Sequence, residues 1–318
     1  MTQPFDEPTD DPQPPGSRRL KGMRFALVGA GRVGTSFAHW LVACGADPRG
    51  VIGRRPGDAG RALAKTLATD WYDLETASTA GLDLLLVTVA DDALTPVARE
   101  LAKRPQATVA LHGSGSLDAS ALTALRAVGC AVGSCHPLRA FPTPLSDLEA
   151  ARGTWFGLDG DAPALDLGHR LVAAWRGHPV VLEADQRAAY HLAASLAAGG
   201  VTTVLSVVEE VMAAADLPPS LIAGYLALTE GALAPIGRGE TARGAITGPA
   251  ARGDTKTLER HRRVLAAKAP ELLPFFARLS AETRRQVAQT RPSEGPAKGD
   301  GTGTPGRAEP PSNPSRRR

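Results

Sequence analysis

Aromatic side chains are scarce, at 4% of the chain, while Ala, Leu and Gly abound. That mix suits helices packed on a parallel sheet better than a β-sandwich. The three cysteines, Cys44, Cys130 and Cys135, are an odd number with no C-x-x-C spacing. A disulfide framework and a Cys-based zinc site are therefore not expected, and a reducing, cytoplasmic setting is. The seven histidines show no ligand spacing such as H-E-x-x-H, so no metal is expected. No stretch reaches the roughly 18 uninterrupted apolar residues of a membrane span. No charged segment leads into an apolar one at the N-terminus, so no signal peptide is expected. An excess of one charge sign is missing too. Net charge is +3; residues 291–318 hold six basic and three acidic groups and residues 1–22 four acidic and three basic, leaving the body almost neutral at +1. That disfavours a nucleic-acid-binding face, and neither nucleic acid nor membrane is expected as a partner.

What is present is a body able to bury a sizeable core: 318 residues, 43% of them hydrophobic. Residues 1–22 and 291–318, rich in Pro, Gly and charge, read as disordered tails. From Met23 onward strand and helix signals alternate. Residues 24–29, 51–53, 82–89, 107–112 and 131–136 read as strands. Residues 32–44, 58–68, 92–103 and 118–128 read as the helices between and after them. The segment LDLLLVTV at 82–89 reads as a near-continuous apolar run, as in a strand buried on both faces of a parallel sheet. The alternation predicts an α/β Rossmann doubly wound parallel sheet over residues 23–150. Residues 151–290 read as a mainly helical, all-α substrate and dimerisation domain. Short strands near 155–158 and 179–182 lead into helices at about 185–215, 218–234, 255–268 and 270–290.

Gly29-Ala30-Gly31-Arg32-Val33-Gly34 is a G-x-G-x-x-G that follows a strand and opens a helix. Gly29 permits the sharp turn, Gly31 lets backbone approach a pyrophosphate, and Gly34 lets helix and strand pack closely. The helix N-terminus adds free N–H groups and a positive dipole end. NAD sites place an acid about 20 residues on, but the next strand ends in Gly53-Arg54-Arg55-Pro56. Two arginines there suit a 2′-phosphate, which predicts NADP(H) over NAD(H).

Further polar segments stand at strand ends or on facing helices. Val89 precedes Asp91 and Asp92 in a loop that would border the nicotinamide; the two acids read as helix caps or as acids. Ser114 and Ser116 lie in a Gly/Ser loop after His112, which is either a substrate-binding loop or an ordinary turn. His136, fixed by Pro137, is a candidate general acid or a structural strand-end histidine. His191 follows Tyr190 on the long helix, with Ser195 one turn on; it is a second candidate acid or a satisfied interfacial histidine. Arg252 sits in a Gly/Pro-rich loop where it would clamp a carboxylate, with Asp254 capping the next helix. Cys135 is a poor nucleophile candidate, because adjacent strand residues point to opposite faces.

Taken in order, GAGRVG, VADDAL, HGSGSLDASAL, CHPLRAF, YHLAA and TGPAARGDTKTLERH resemble a bacterial two-domain family. Its N-terminal half is Rossmann-like and its C-terminal half is a domain of unknown function. The wider clan includes F420-dependent NADP reductases, pyrroline-carboxylate reductases and 6-phosphogluconate-type dehydrogenases. Some members are similar to an alternative class of NADPH-dependent ketopantoate reductase. The resemblance implies NADPH-dependent reduction of a small carbonyl, a 2-oxo acid such as ketopantoate, in the interdomain cleft of a homodimer. His191 or His136 would supply the proton, and Ser114 and Arg252 would orient the substrate. The chain departs from the clan on the central helix, where no Lys occurs between 185 and 215 and residues 196–200 read LAAGG without an amide. That departure favours the alternative of a non-catalytic NADP(H) sensor; an F420-dependent NADP reductase is a further alternative.

Overall fold

The computed structural model describes residues 20–54, 58–104 and 106–289. The expected tails therefore fall almost wholly outside the described residues, but Leu20, expected in the first of them, is buried in the core. The chain folds as two compact units, divided between Thr202 and Thr203.

The first unit is built on one eight-stranded sheet of order β3-β2-β1-β4-β5-β6-β7-β8. The strands are β1 Arg24–Val28, β2 Asp47–Gly53, β3 Trp71–Asp73, β4 Leu84–Val87, β5 Val109–His112, β6 Ala131–Pro137, β7 Trp155–Gly160 and β8 His178–Val181. Strands β1 to β6 are parallel, β7 runs antiparallel to β6, and β8 is parallel to β7. Between them lie helices α1 Arg32–Ala43, α2 Asp58–Thr66, α3 Asp91–Leu101, α4 Thr123–Arg126 and α5 Ala162–Ala174. The central strands β4 and β5 are buried at every position. Helices cover both faces: α1, α2 and α5 share one core with β1, and α3 and α4 share the other. This is the α/β, doubly wound arrangement expected.

The two units divide later than the boundary near 150 expected from sequence. The few aromatics supply the reason. Phe37 and Trp40 of α1 meet Trp175 just after α5 at ring separations of 4.9 and 5.7 Å, and Phe156 of β7 meets Trp175 at 5.3 Å. Residues 155–175 thus complete the core begun by residues 25–44, and β7, α5 and β8 extend the sheet.

A 31-residue helix, Ala184–Ala214, follows β8. It comprises α6 Arg187–Ser195, a π-helical turn Leu196–Gly200, and α7 Val201–Ala214. By length and composition alone it is apolar enough to cross a membrane, with mean hydropathy 1.6 over an 18-residue window. Its first turns, however, are bonded to the sheet through Arg187 and Tyr190, which an isolated span would not be.

The second unit holds the rest of α7 with α8 Leu221–Gly237, α9 Pro249–Arg252, α10 Thr255–Lys268 and α11 Leu273–Ala288. Among the described residues its regular elements are all helices. Leu265, Ala269 and Leu272 form its small core. α8 is apolar yet buries no residue, and Leu226, Leu228 and Leu233 are exposed.

Candidate active site

Strand order reverses at β1, whose neighbours β2 and β4 lead away in opposite directions. Ligands of such sheets bind at the carboxyl ends of the strands beside that point. There Gly29 turns the chain at φ 93°. A Cβ on Gly29 would meet the Thr88 carbonyl oxygen and Val89 Cγ1, each at 2.9 Å. Gly34 packs so closely on Thr88 and the Gly29 carbonyl that no methyl fits. Thr88 Oγ1 donates to that carbonyl over 2.7 Å, pinning the turn to the end of β4. Gly31 is the N-cap of α1, with its nearest neighbour for a Cβ at 4.0 Å. The first turn, Arg32, Val33 and Gly34, carries no acid and no capping side chain. Its N–H groups are left free beside an open cradle that fits a dinucleotide pyrophosphate. Ala30 and Val33 pack against the core behind it. Arg32 donates to the Pro142 carbonyl over 3.3 Å. Arg54 is exposed at the end of β2; Arg55 lies outside the described residues.

Further along the same edge, β5 delivers His112 and β6 delivers His136. His112 Nδ1 accepts the Ser114 N–H at 3.2 Å, and Nε2 stands 2.9 Å from the Asp118 carbonyl. Together those partners require a neutral ring with its proton on Nε2, and burial holds its pKa below the usual histidine value. The next residues wind tightly. Ser114 Oγ accepts from the N–H groups of Ser116 and Leu117 at 3.2 and 3.1 Å. Ser116 Oγ donates to the Asp91 carboxylate, tying the β5 loop to the β4 loop. This winding presents Gly115 flush against two imidazoles. A Cβ there would meet His191 Cδ2 at 2.5 Å and His136 Nε2 at 2.7 Å.

The two rings lie 5.9 Å apart, nearly perpendicular. His136 Nδ1 is 2.9 Å from the Tyr190 hydroxyl. Gly157 of β7, opposite His136 in register, leaves the room that the Tyr190 ring occupies. Burial, then the charges of Arg187 and His191, hold the His136 pKa down to about 4, so the ring is neutral at pH 7. Burial pushes the Tyr190 phenol above its ordinary value. A cavity of about 550 Å³ opens onto these groups, walled by His136, Arg139, Tyr190, His191 and Ser195 and by alanines of α6 and the π turn. Single π turns recur at functional sites.

Behind the cavity runs a buried polar row. His112, Ser134 and Asp159 are register partners across β5, β6 and β7. Asp159 accepts the Ala119 N–H at 3.0 Å and Arg187 Nε at 2.9 Å. Arg187 is only 2% exposed. Its two terminal nitrogens and Ser134 Oγ have no partner among the described residues.

The fold is Rossmann-like. Residues 9–137 match the family model of a Rossmann-like domain, and residues 154–283 match that of a domain of unknown function, DUF2520. Three solved structures resemble the chain. A provisionally assigned NADP oxidoreductase of Bacteroides fragilis has 19% identity and TM-score 0.70, over 84% of this chain and 99% of that one. Protein TM1727 of Thermotoga maritima has 22% identity and TM-score 0.64, over 83% and 98%. An imine reductase of Myxococcus stipitatus in complex with NADP+ has 18% identity and TM-score 0.58, over 84% and 95%. At these identities the likeness is one of fold. No curated protein matches the sequence.

The expected site residues separate into three groups. Gly29, Gly31, Gly34 and Val89 meet at the switch point, and His136 and His191 meet across Gly115. Ser114 stands beside them, but it is 8% exposed and its oxygen is engaged by its own loop. Arg252 belongs to the second unit, where it is exposed at the end of α9, and Asp254 caps α10 through Thr257 N–H as expected. Asp91 and Asp92 do not cap α3: the N-cap is Ala90, and Asp91 is bonded to Ser116. Cys135 is fully buried, and burial pushes its thiol to about 12, so it is no nucleophile. Tyr190, Arg139 and Arg187 were not among the expected site residues. Tyr190 adjoins His191, and the strand-end segment CHPLRAF contains Arg139; only the strand pairing places Arg187 opposite Asp159.

Proposed function

We propose that the chain is an NADPH-dependent oxidoreductase that reduces a small C=O or C=N compound, with 2-oxo acids, ketopantoate among them, as the first candidates. The observation that carries this reading is the shared edge. The glycine cradle after β1 and His136 at the end of β6 both stand at the carboxyl edge of the same parallel strands, with Tyr190 and His191 of α6 beside His136. The fold likeness to a reductase crystallised with NADP+ agrees with it.

Gly29, Ala30, Gly31, Arg32, Val33 and Gly34 would hold the pyrophosphate, and Val89 would border the nicotinamide. Arg54 with Arg55 would take the 2′-phosphate. Asp73, the register partner of Gly53, accepts the Glu75 N–H at 2.8 Å. When bound, NADPH supplies a hydride equivalent.

This chain supplies the proton and the orientation. With the Tyr190 hydroxyl donating to His136 Nδ1, the ring proton sits on Nε2, the atom beside Gly115 and the cavity. His136 is neutral at pH 7, so it acts as a hydrogen-bond donor that polarises the substrate, backed by the Tyr190 proton. His191, on the opposite wall, is the alternative donor. Ser114 shapes the loop that aims Gly115.

We read the exposed leucines of α8 and the apolar groove of about 270 Å³ lined by Val207, Val211, Met212, Tyr225, Leu272 and Phe276 as the surface for a second copy. Sedimentation equilibrium tests that. Three buried free thiols fit a cytoplasmic setting.

The test is NADPH oxidation by the purified protein with ketopantoate, other 2-oxo acids and cyclic imines, with NADH in parallel. Turnover with NADPH supports the reading. NADPH binding without turnover across the panel replaces it with the sensor reading.

A further inference from the structure

The cavity beside His136 contains one fixed cation and no anion. Its wall holds two histidines, a tyrosine, a serine and several alanines, but no Asp or Glu. The cation is Arg139, two residues past Pro137. Its position is set at two points. Its backbone N–H donates to the Pro137 carbonyl at 2.9 Å, and its Nε donates to Thr154 Oγ1 at 2.9 Å. Thr154 is itself only 5% exposed. Fixing Nε orients the planar guanidinium, and no acceptor among the described residues is bonded to its two terminal nitrogens. A guanidinium held this way presents a two-pronged donor fork, the geometry that pairs with a carboxylate.

We infer that Arg139 is the carboxylate-binding residue of the cavity, and that the substrate is a small carboxylic acid whose reducible carbon lies toward His136. The inference rests on the reductase reading and assigns to Arg139 the clamp expected from sequence at Arg252. The alanines at 193, 194, 197 and 198 keep the facing wall shallow, so the acid can carry a short branched chain. A neutral ketone of the same shape leaves the fork unpaired and forfeits that contact.

The test compares 2-oxoisovalerate with its methyl ester, by calorimetry on the full chain saturated with NADP+. It uses wild type, Arg139→Lys and Arg139→Gln. NADPH affinity is measured separately by fluorescence. Charge-assisted pairing predicts that Arg139→Gln weakens the acid about 10- to 100-fold, with ester and NADPH affinity unchanged. Arg139→Lys keeps the charge without the fork and falls between. In turnover the loss appears in KM more than in kcat. Wild type that binds acid and ester alike, or binds neither, overturns the inference, and so does an Arg139→Gln protein that loses both equally. Failure of the reductase reading shows instead as absent NADPH binding in the fluorescence arm, or as NADPH binding without turnover of any compound in the panel.

Discussion

Gly115→Ala is the smallest change that separates the fold from its chemistry. Gly115 is not among the glycines at positive φ, so an alanine meets no backbone strain, and the loss of chain entropy alone would stabilise by about 0.4–1 kcal/mol. The new methyl, however, would stand 2.5 Å from His191 Cδ2 and 2.7 Å from His136 Nε2. Ordinary carbon contacts need about 3.5 Å, so each of the two rings must give by roughly 1 Å. His136 retreats only by stretching its bond to Tyr190, which is worth about 1 kcal/mol. Overpacking adds about 1–3 kcal/mol. The net cost to stability is small, about 1–3 kcal/mol, a drop of a few degrees in Tm. The cost to catalysis is larger, because a displacement of about 1 Å in an acid–base group lowers turnover about 100-fold. Four measurements decide it: thermal melting, NADPH affinity, imidazole NMR, and turnover on the best substrate. The reasoning predicts a nearly normal Tm, normal NADPH binding, shifted resonances of His136 and His191, and turnover reduced about 100-fold. Wild-type turnover with unmoved resonances would refute the placement of both histidines at the reacting centre.

Other outcomes follow from the same contacts. His136 titrates at about 4 in the folded chain and near 6.5 unfolded. Its contribution is therefore full above pH 6.5 and is lost as pH falls toward 4, by about 2–3 kcal/mol; buried His112 acts in the same direction. His136→Gln should flatten that acid limb in thermal melts, and an unchanged limb sinks the assignment. Asp159→Asn leaves the Arg187 guanidinium buried without its counter-charge and should cost about 3–5 kcal/mol in urea unfolding; replacing both by Leu and Met should recover most of it, and additive losses would deny the pairing. Replacing Arg54 and Arg55 together with Ala should raise the NADPH dissociation constant far more than the NADH one. Equal effects argue against a 2′-phosphate there.

What the sequence disclosed, and what it withheld, divides along the range of the interactions involved. Strands and helices of the sheet were legible because each depends on local periodicity: the run at 82–89 has almost no polar residue to place on an outer face, and G-x-G-x-x-G declares its turn. His136 and His191 were legible as candidates because a strand end and a helix face are local features. Their meeting was not, because 55 positions separate them and Gly115, with no side chain to notice, is what brings them together. That residues past 150 join the first core was hidden for the same reason, since Trp175 closes a core opened by Phe37. Arg187 shows the limit most plainly. From sequence it is one more charge in the first turn of a helix. Only the antiparallel pairing of β6 and β7 puts Asp159 in the row of His112 and Ser134. That row makes a buried arginine tolerable there, and the charge it keeps helps hold His136 neutral. A carboxylate substrate would then meet a cavity whose one oriented, solvent-facing cation is Arg139, because the other arginine is already spent on Asp159.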